Sequence, residues 1–156
     1  MMPLLLPSAM LADTIERLRV GGQQRRERVA LWLAPATPAS GGCVSEIYEP
    51  EQVTERDYFH LPPASLKALM ARLRAGRLRV SAQIHTHPKE AFHSDADARW
   101  AIVRHVGALS LVLPRFAART TLENFLDEVK IYELSEAGEW ILSPNDGPSA
   151  KLTVSP

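Results

Sequence analysis

Short apolar runs alternate with longer amphipathic segments along this chain, and this alternation limits the folds that it can adopt. The runs at 29–35, 80–87 and 108–113 each end at or just before a proline, which is typical of buried strands. Apolar residues spaced three or four apart predict helices over 8–22 and 63–76, each closing at a glycine. Intermixed helices and strands indicate an α/β (α+β layered) fold, with a mixed central β-sheet flanked by helices.

The remaining segments complete the predicted order of elements. The 37–42 stretch is rich in Pro, Ser and Gly and predicts a turn, with 43–48 as the hairpin partner of the strand before it. A third helix is predicted over 94–106, with Trp100 on its inner face. A final hairpin is predicted over 129–142.

The length of 156 residues fits one domain, because most domains contain about 100–150 residues. The predicted elements place that domain at 8–143. Residues 1–7 precede the first helix and are expected to be flexible. The tail 144–156 is rich in Pro, Ser, Asn and Gly, and is expected to fray.

Charge and cysteine content exclude several classes of function. The 18 Lys and Arg residues balance 18 Asp and Glu, so the chain has no long-range field that would attract nucleic acid or anionic lipid. We therefore expect no nucleic-acid partner. The single cysteine, Cys43, can form neither an internal disulfide nor a Cys-x-x-Cys zinc site. Any metal must then be bound by His, Asp or Glu.

The first twelve residues are apolar but lack the basic region and the cleavage triplet of a secretory signal peptide. No stretch approaches 18 consecutive apolar residues, the minimum for a membrane span. We therefore expect a cytoplasmic protein with no membrane partner.

The segment HTHPKEAFHSDAD contains the residues with the clearest chemistry. His85 and His87 are two apart on a predicted strand, so both imidazoles project from the same face, a natural arrangement for two zinc ligands. Pro88 ends the strand. Ser94 then takes the N-cap position of a helix, and Asp97 at the third helical position can supply a carboxylate ligand.

Each part of this segment also has an ordinary structural interpretation. Two histidines on one strand are more often unrelated than paired on a metal, and Ser-x-x-Asp is a common helix capping box. The conjunction favours a site, because His93 adds a third histidine to the same short segment. His93 is either a support for the ligands or an ordinary residue, whereas His60 and His105 are expected to be ordinary surface or boundary residues.

The spacing His85-x-His87-Pro88, then Ser94 and Asp97, resembles the signature of the JAMM (MPN/JAB) metalloproteases. The loop before Ser94 is similar in length to those of compact prokaryotic members. The resemblance covers roughly residues 8–142 and implies a single JAB/MPN-type domain of cytidine-deaminase-like fold. It also places a glutamate before the first strand, where this chain has Glu27.

The resemblance implies one zinc ion per chain, bound by His85, His87 and Asp97, with an open position for water. Glu27 would act as general base and then as general acid, and Ser94 would donate a hydrogen bond to the oxyanion. The glycines that usually follow the glutamate are alanines here, so Glu46 stays open as an alternative base.

The resemblance also implies a function: a zinc isopeptidase or peptidase that cleaves after the C-terminus of a ubiquitin-like protein. Separate activating and conjugating enzymes would be its partners, in some relatives within antiviral defence. Residues 115–128 are the candidate segment for substrate specificity. The alternative is a non-catalytic scaffold or binding module that keeps the fold without the reaction. A zinc deaminase is disfavoured because it needs two paired cysteines.

Overall fold

The computed structural model of this protein describes residues 2–37 and 42–156. The helices are Ser8–Gln23 (α1), Pro63–Gly76 (α2), Asp95–Arg99 (α3) and Phe125–Glu128 (α4). The strands are Leu4–Pro7 (β1), Val29–Pro35 (β2), Glu46–Tyr48 (β3), Val53–Thr54 (β4), Phe59–His60 (β5), Leu78–Thr86 (β6), Leu109–Leu113 (β7), Lys130–Leu134 (β8), Trp140–Ser143 (β9) and Leu152–Ser155 (β10). None of the helices in the described ranges has both the length and the apolar character that a membrane span requires.

Six of the strands form one mixed sheet in the order β3-β2-β6-β7-β8-β9. β6 and β7 run parallel, and all other neighbours in this sheet run antiparallel. The connection between the two parallel strands contains α3, since parallel neighbours need a crossover. The predicted single α/β domain with a mixed central sheet flanked by helices is thereby confirmed.

The two faces of the sheet pack against different helices, because successive side chains of β2 point to opposite sides. Trp32 faces α1, where its indole Nε1 donates to Oγ1 of Thr14 at 3.1 Å. Leu31 and Leu33 belong to the core on the other face, which also contains Leu69 of α2. A run that is apolar at every position therefore fits a strand that is buried on both faces.

Helix α3 is shorter than the helix predicted over 94–106, and that prediction is wrong beyond Arg99. The backbone N–H groups of Ile102 and Val103 donate to Oε1 of Gln83, at 2.8 and 3.4 Å, instead of to a helical carbonyl. The buried Gln83 side chain thus competes with the helix for these donors. Trp100, expected in the core, is 42% exposed and packs against the ring of His60.

Strands occupy both regions that the sequence predicts to be loose, which corrects the expectation of a flexible 1–7 and a frayed 144–156. β1 and β10 pair in parallel, with Leu4 opposite Leu152. These two leucines and Leu6 are buried in the core that α1 covers. Burial of this apolar surface favours the pairing, although neither segment has a strong local signal.

The predicted partner of β2 is found in β3, which pairs antiparallel to it with Leu31 opposite Tyr48. Residues 38–41 of the turn predicted at 37–42 lie outside the described residues. Cys43 lies before β3 and forms an isolated parallel bridge with Leu5. The start of β1 is thereby linked to the segment that enters the main sheet.

Candidate metal centre

His85 and His87 lie at the end of β6, and their ring centroids are 5.3 Å apart. His85 belongs to the strand, and His87 follows its last residue. The backbone N–H of His87 donates to the carbonyl oxygen of Leu113 on β7 at 2.9 Å, which keeps this residue tied to the sheet. Both side chains are buried. The expected pair of imidazoles is present on one side of the strand.

Asp97 reaches both histidines from the first turn of α3. Oγ of Ser94 accepts a hydrogen bond from the backbone N–H of Asp97 at 3.1 Å, and Oδ2 of Asp97 accepts from the N–H of Ser94 at 2.8 Å. This capping box fixes the direction of the carboxylate. Its Oδ2 lies 2.9 Å from Nε2 of His87, and its Oδ1 lies 3.1 Å from Nε2 of His85. The structure therefore brings the three predicted ligands together.

Glu27 is the fourth member of the group, and it lies two residues before the start of β2 at Val29. Its backbone N–H donates to the carbonyl oxygen of Glu55 at 2.6 Å. One ligand atom each from Glu27, His85, His87 and Asp97 all lie within 4.8 Å of one another, and all four residues are buried.

Glu46, the alternative base, is placed elsewhere. It lies on β3, where its Oε2 accepts a hydrogen bond from Nε of Arg72 at 2.9 Å. Its carboxylate does not belong to the buried group of ligand atoms. The geometry therefore favours Glu27 over Glu46 as the carboxylate beside the histidines.

The two buried carboxyl groups differ in protonation because their neighbours differ. Burial raises the pKa of Glu27 to about 9, and the negative charges of Asp97 and Asp57 add to this shift. Burial also opposes ionisation of Asp97, but its contacts with His85 and His87 outweigh burial and hold its pKa below the usual range. At neutral pH without metal, Glu27 is therefore protonated and Asp97 ionised.

The polar atoms of this group suit a divalent metal ion. Oε1 of Glu27 and both ring nitrogens of His85 are buried and have no hydrogen-bond partner within the described ranges. The 3.1 Å contact between His85 and Asp97 has the distance of a hydrogen bond but not its geometry. Buried polar atoms without partners are rare, and a cation would satisfy these. Two imidazoles and a carboxylate are the donor set of many catalytic zinc sites.

A cavity of about 290 Å³ opens beside the group. Glu27, His87 and Ser94 contribute to its wall. Phe92 also lines the cavity and packs edge-on against the ring of His87, with centroids 4.6 Å apart. Glu27, the residue predicted to be the base, thus faces the same space as one predicted ligand, His87, and the predicted oxyanion donor, Ser94.

The segment 115–128, proposed for substrate specificity, packs against α1 rather than lining this cavity. Nε of Arg19 donates to the carbonyl oxygen of Ala117 at 3.1 Å, and Arg115 forms an ion pair with Glu128. The cavity is lined instead by residues 27, 56–57, 87–90, 92 and 94. The role of the segment 115–128 in substrate specificity stays a prediction.

Two buried polar residues next to the site, Ser110 and Gln83, form a connected set with the half-buried His93. Nε2 of His93 lies 3.1 Å from Oγ of Ser110, and Nε2 of Gln83 donates to the same oxygen at 3.1 Å. Burial lowers the pKa of His93 to about 4, and the neighbouring His85 adds to this shift. Sequence reasoning missed Gln83 and Ser110, although a polar residue inside an otherwise apolar strand is an available signal.

Replacing Glu27 by glutamine should stabilise the metal-free protein, and more so as the pH rises. The unfolded chain releases this proton near pH 4.5, whereas the folded protein retains it until about pH 9. Because the folded state binds the extra proton in this window, its stability falls as the pH increases, and a glutamine avoids that loss. One proton held across three pH units corresponds to about 4 kcal/mol, so with a chelator present the gain in Tm of E27Q over wild type should be roughly 8–16 °C larger at pH 8 than at pH 5. An equal gain at both pH values would contradict the raised pKa.

Comparison with known proteins identifies a related sequence and a solved structure of the same fold. No family model matches the chain. The solution structure of protein DSY2949 from Desulfitobacterium hafniense has a TM-score of 0.70 at 12% identity, over 97% of this chain and 92% of that one, and shows a shared fold. The chain is also 33% identical over 153 residues to the probable metalloprotease y4jG of Sinorhizobium fredii, which covers 95% of this chain and 89% of that protein. Similarity of this extent along both chains means that the protein belongs to the family of the probable metalloprotease y4jG.

Proposed function

We propose that this protein is a zinc-dependent peptidase of the JAMM (MPN/JAB) type. The observation that carries the proposal is the buried group in which Glu27, His85, His87 and Asp97 offer ligand atoms within 4.8 Å of one another. The segment that resembles the JAMM signature supplies three of these four residues, His85, His87 and Asp97. Membership of a family with a probable metalloprotease supports the same class of reaction.

His85, His87 and Asp97 would hold the zinc ion, one per chain. When bound, zinc supplies a Lewis acid that polarises a carbonyl group and lowers the pKa of water from 15.7 towards about 7. The ionised carboxylate of Asp97 offsets part of the cation's charge. The capping box with Ser94 holds that carboxylate in place, so the ligand set is preorganised by the start of α3.

Glu27 is the group that moves protons in this proposal. Its Oε1 is buried and has no hydrogen-bond partner among the described residues, and its side chain lines the cavity. Glu27 is protonated in the metal-free protein, and the charge of a bound cation would favour its ionised form, whose carboxylate would then accept a proton from the attacking water. The same carboxyl then delivers the proton to the leaving amine. Glu27 returns to its initial state, and the peptide bond is hydrolysed without a covalent enzyme intermediate.

Ser94 stabilises the substrate oxygen in this proposal. Its Oγ already accepts a hydrogen bond from the N–H of Asp97 and keeps its own proton available to donate. Because Ser94 lines the same cavity as Glu27, that proton can be donated to the carbonyl oxygen of the bond being cleaved. One such donor typically stabilises a transition state by ~3 kcal/mol.

The proposed substrate is a ubiquitin-like protein or its conjugate, cleaved after its C-terminus. The support for this choice is the segment HTHPKEAFHSDAD, which resembles JAMM members that cleave ubiquitin-like conjugates. The activating and conjugating enzymes of such a system would be separate proteins. A cytoplasmic location and a role in antiviral defence belong to the same proposal.

A fusion of a ubiquitin-like protein to a reporter, joined through its C-terminus, tests the proposed function. We expect the zinc-loaded protein to release the reporter, with mass spectrometry placing the cut after the last residue of the ubiquitin-like part. Chelation by 1,10-phenanthroline should stop cleavage, and added zinc should restore it. The control is the same reporter joined to an unrelated flexible peptide.

Two outcomes would contradict different parts of the proposal. Stoichiometric zinc without cleavage of any such fusion would contradict the substrate class. A protein that purifies without zinc and does not bind it when supplied would favour the scaffold alternative, which keeps the fold without the reaction.

A further inference from the structure

His93 directly precedes Ser94, and it is attached to three neighbouring strands of the sheet. Its Nε2 meets Oγ of Ser110 on β7 at 3.1 Å. Its ring packs against Tyr132 on β8 and Trp140 on β9, with centroids 5.2 and 5.1 Å away. These contacts attach the loop between His87 and α3 to the sheet one residue before the N-cap Ser94.

The orientation of the Gln83 side chain follows from two backbone groups. The N–H groups of Ile102 and Val103 can only donate, so the atom of Gln83 that faces them must be its carbonyl oxygen. The amide nitrogen of Gln83 then faces Ser110. It donates to Oγ of Ser110 at 3.1 Å.

The hydroxyl of Ser110 is fully buried and has one proton to donate. Within the described part of the chain, its hydrogen-bond partners are Gln83, which donates to it, and Nε2 of His93. If His93 donated instead, the hydroxyl proton would be buried without an acceptor, which is unfavourable. Ser110 therefore donates to Nε2 of His93, and the proton of the neutral ring resides on Nδ1.

The link from His93 to the proposed metal centre is short. Ser94 is the next residue, and its N–H and Oγ form the capping box with Asp97. Asp97 in turn contacts His85 and His87. A displacement of His93 would therefore move the N-cap of α3 and, through it, the carboxylate of Asp97.

We propose that His93 is a positioning residue, held as the Nδ1–H tautomer by the Gln83–Ser110 hydrogen-bond chain, that fixes Ser94 and Asp97 for metal binding. The inference rests on the metal centre of the proposed function and does not depend on its substrate. His93 does not itself contact the metal or the substrate in this role. The positioning role depends on the unprotonated Nε2 of His93, because only a hydrogen-bond acceptor can receive the Ser110 proton.

The tautomer can be read directly from the ¹⁵N chemical shifts of the His93 ring in the zinc-loaded protein, with the signal assigned by its loss in His93→Gln. We expect a protonated Nδ1 and an unprotonated Nε2. In Ser110→Ala the donor is gone, and we expect a mixture of the two tautomers. A wild-type ring that carries its proton on Nε2 would overturn the proposal, and so would an unchanged tautomer in Ser110→Ala.

Zinc affinity, measured by competition with a chromogenic chelator, tests the positioning role. His93→Phe keeps a ring between Tyr132 and Trp140 but lacks the acceptor, and we expect it to bind zinc about tenfold more weakly. His93→Gln places a side-chain oxygen where Nε2 was, and we expect it to recover most of that loss.

Two results would overturn the positioning role: wild-type affinity in His93→Phe, or equal losses in both variants. Neither this measurement nor the tautomer uses a substrate. A failure to cleave ubiquitin-like fusions would therefore leave this inference intact, and the reverse also holds.

Discussion

Glu27→Gln should lower the rate of peptide-bond cleavage by about 10²- to 10⁴-fold, the range that a general acid–base group contributes. Glutamine has nearly the same shape as glutamate but cannot accept a proton from water. The variant should still bind one zinc ion per chain, because His85, His87 and Asp97 are unchanged. The measurement is the initial rate of fusion cleavage, together with zinc content determined by atomic absorption.

Glu46→Gln is the matched control for that experiment. Glu46 lies on β3, its partner is the guanidinium of Arg72, and both side chains are partly exposed. An exposed ion pair contributes little to stability, so this variant should fold normally and cleave at nearly the wild-type rate. If Glu46→Gln lost activity and Glu27→Gln retained it, the assignment of the base would be reversed.

Gly22→Ala should destabilise the protein by about 3 kcal/mol, the upper end for adding atoms to a well-packed site. A Cβ at this position of α1 would lie 2.7 Å from both Cβ and the carbonyl oxygen of Phe116. Phe116 has a positive φ of 53°, and its N–H donates to the carbonyl oxygen of His87 at 2.8 Å. Its backbone cannot yield without disturbing that bond. Thermal unfolding should show a decrease in Tm of roughly 6–12 °C.

Gly76→Ala is the control, because this glycine also lies in a helix and has close neighbours. Its added Cβ would meet Nη1 of Arg72 and Cδ1 of Leu78, which are the ends of flexible side chains. Those atoms can move, and alanine favours a helix more than glycine does. We expect the Tm of this variant to stay close to that of wild type. Equal losses in the two variants would contradict the argument from backbone crowding.

Local signals in the sequence were sufficient for most of the central sheet. β2 begins and ends where the apolar run and Pro35 predict, and α2 ends at Gly76 as expected. The elements that the sequence predicts wrongly depend on partners that are distant in the chain. β1 needs β10, with Leu4 opposite Leu152, and no local window contains both. The helix predicted to 106 ends early because Gln83, from another strand, receives the backbone donors of the next turn.

In the candidate site, too, local signals were sufficient for some residues, whereas others depend on partners distant in the chain. His85, His87 and Asp97 come together because strand period and helix capping are local rules that act within thirteen residues of chain, 85–97. Glu27 was placed only by resemblance. Its raised pKa depends on burial and on the nearby charge of Asp97, and neither effect can be predicted from the sequence. The role of Ser110 depends on the register that sets it opposite Gln83 on neighbouring strands. Such a register is a tertiary property.

The pairing of β1 with β10 also has a consequence for how the protein folds during its synthesis. Leu4 and Leu6 leave the ribosome long before the strand that they need, which begins at Leu152. At about 5–20 residues per second, roughly 7–30 s pass before that partner is translated. During this interval an apolar strand with unpaired backbone groups is exposed, which makes it a natural target for chaperones.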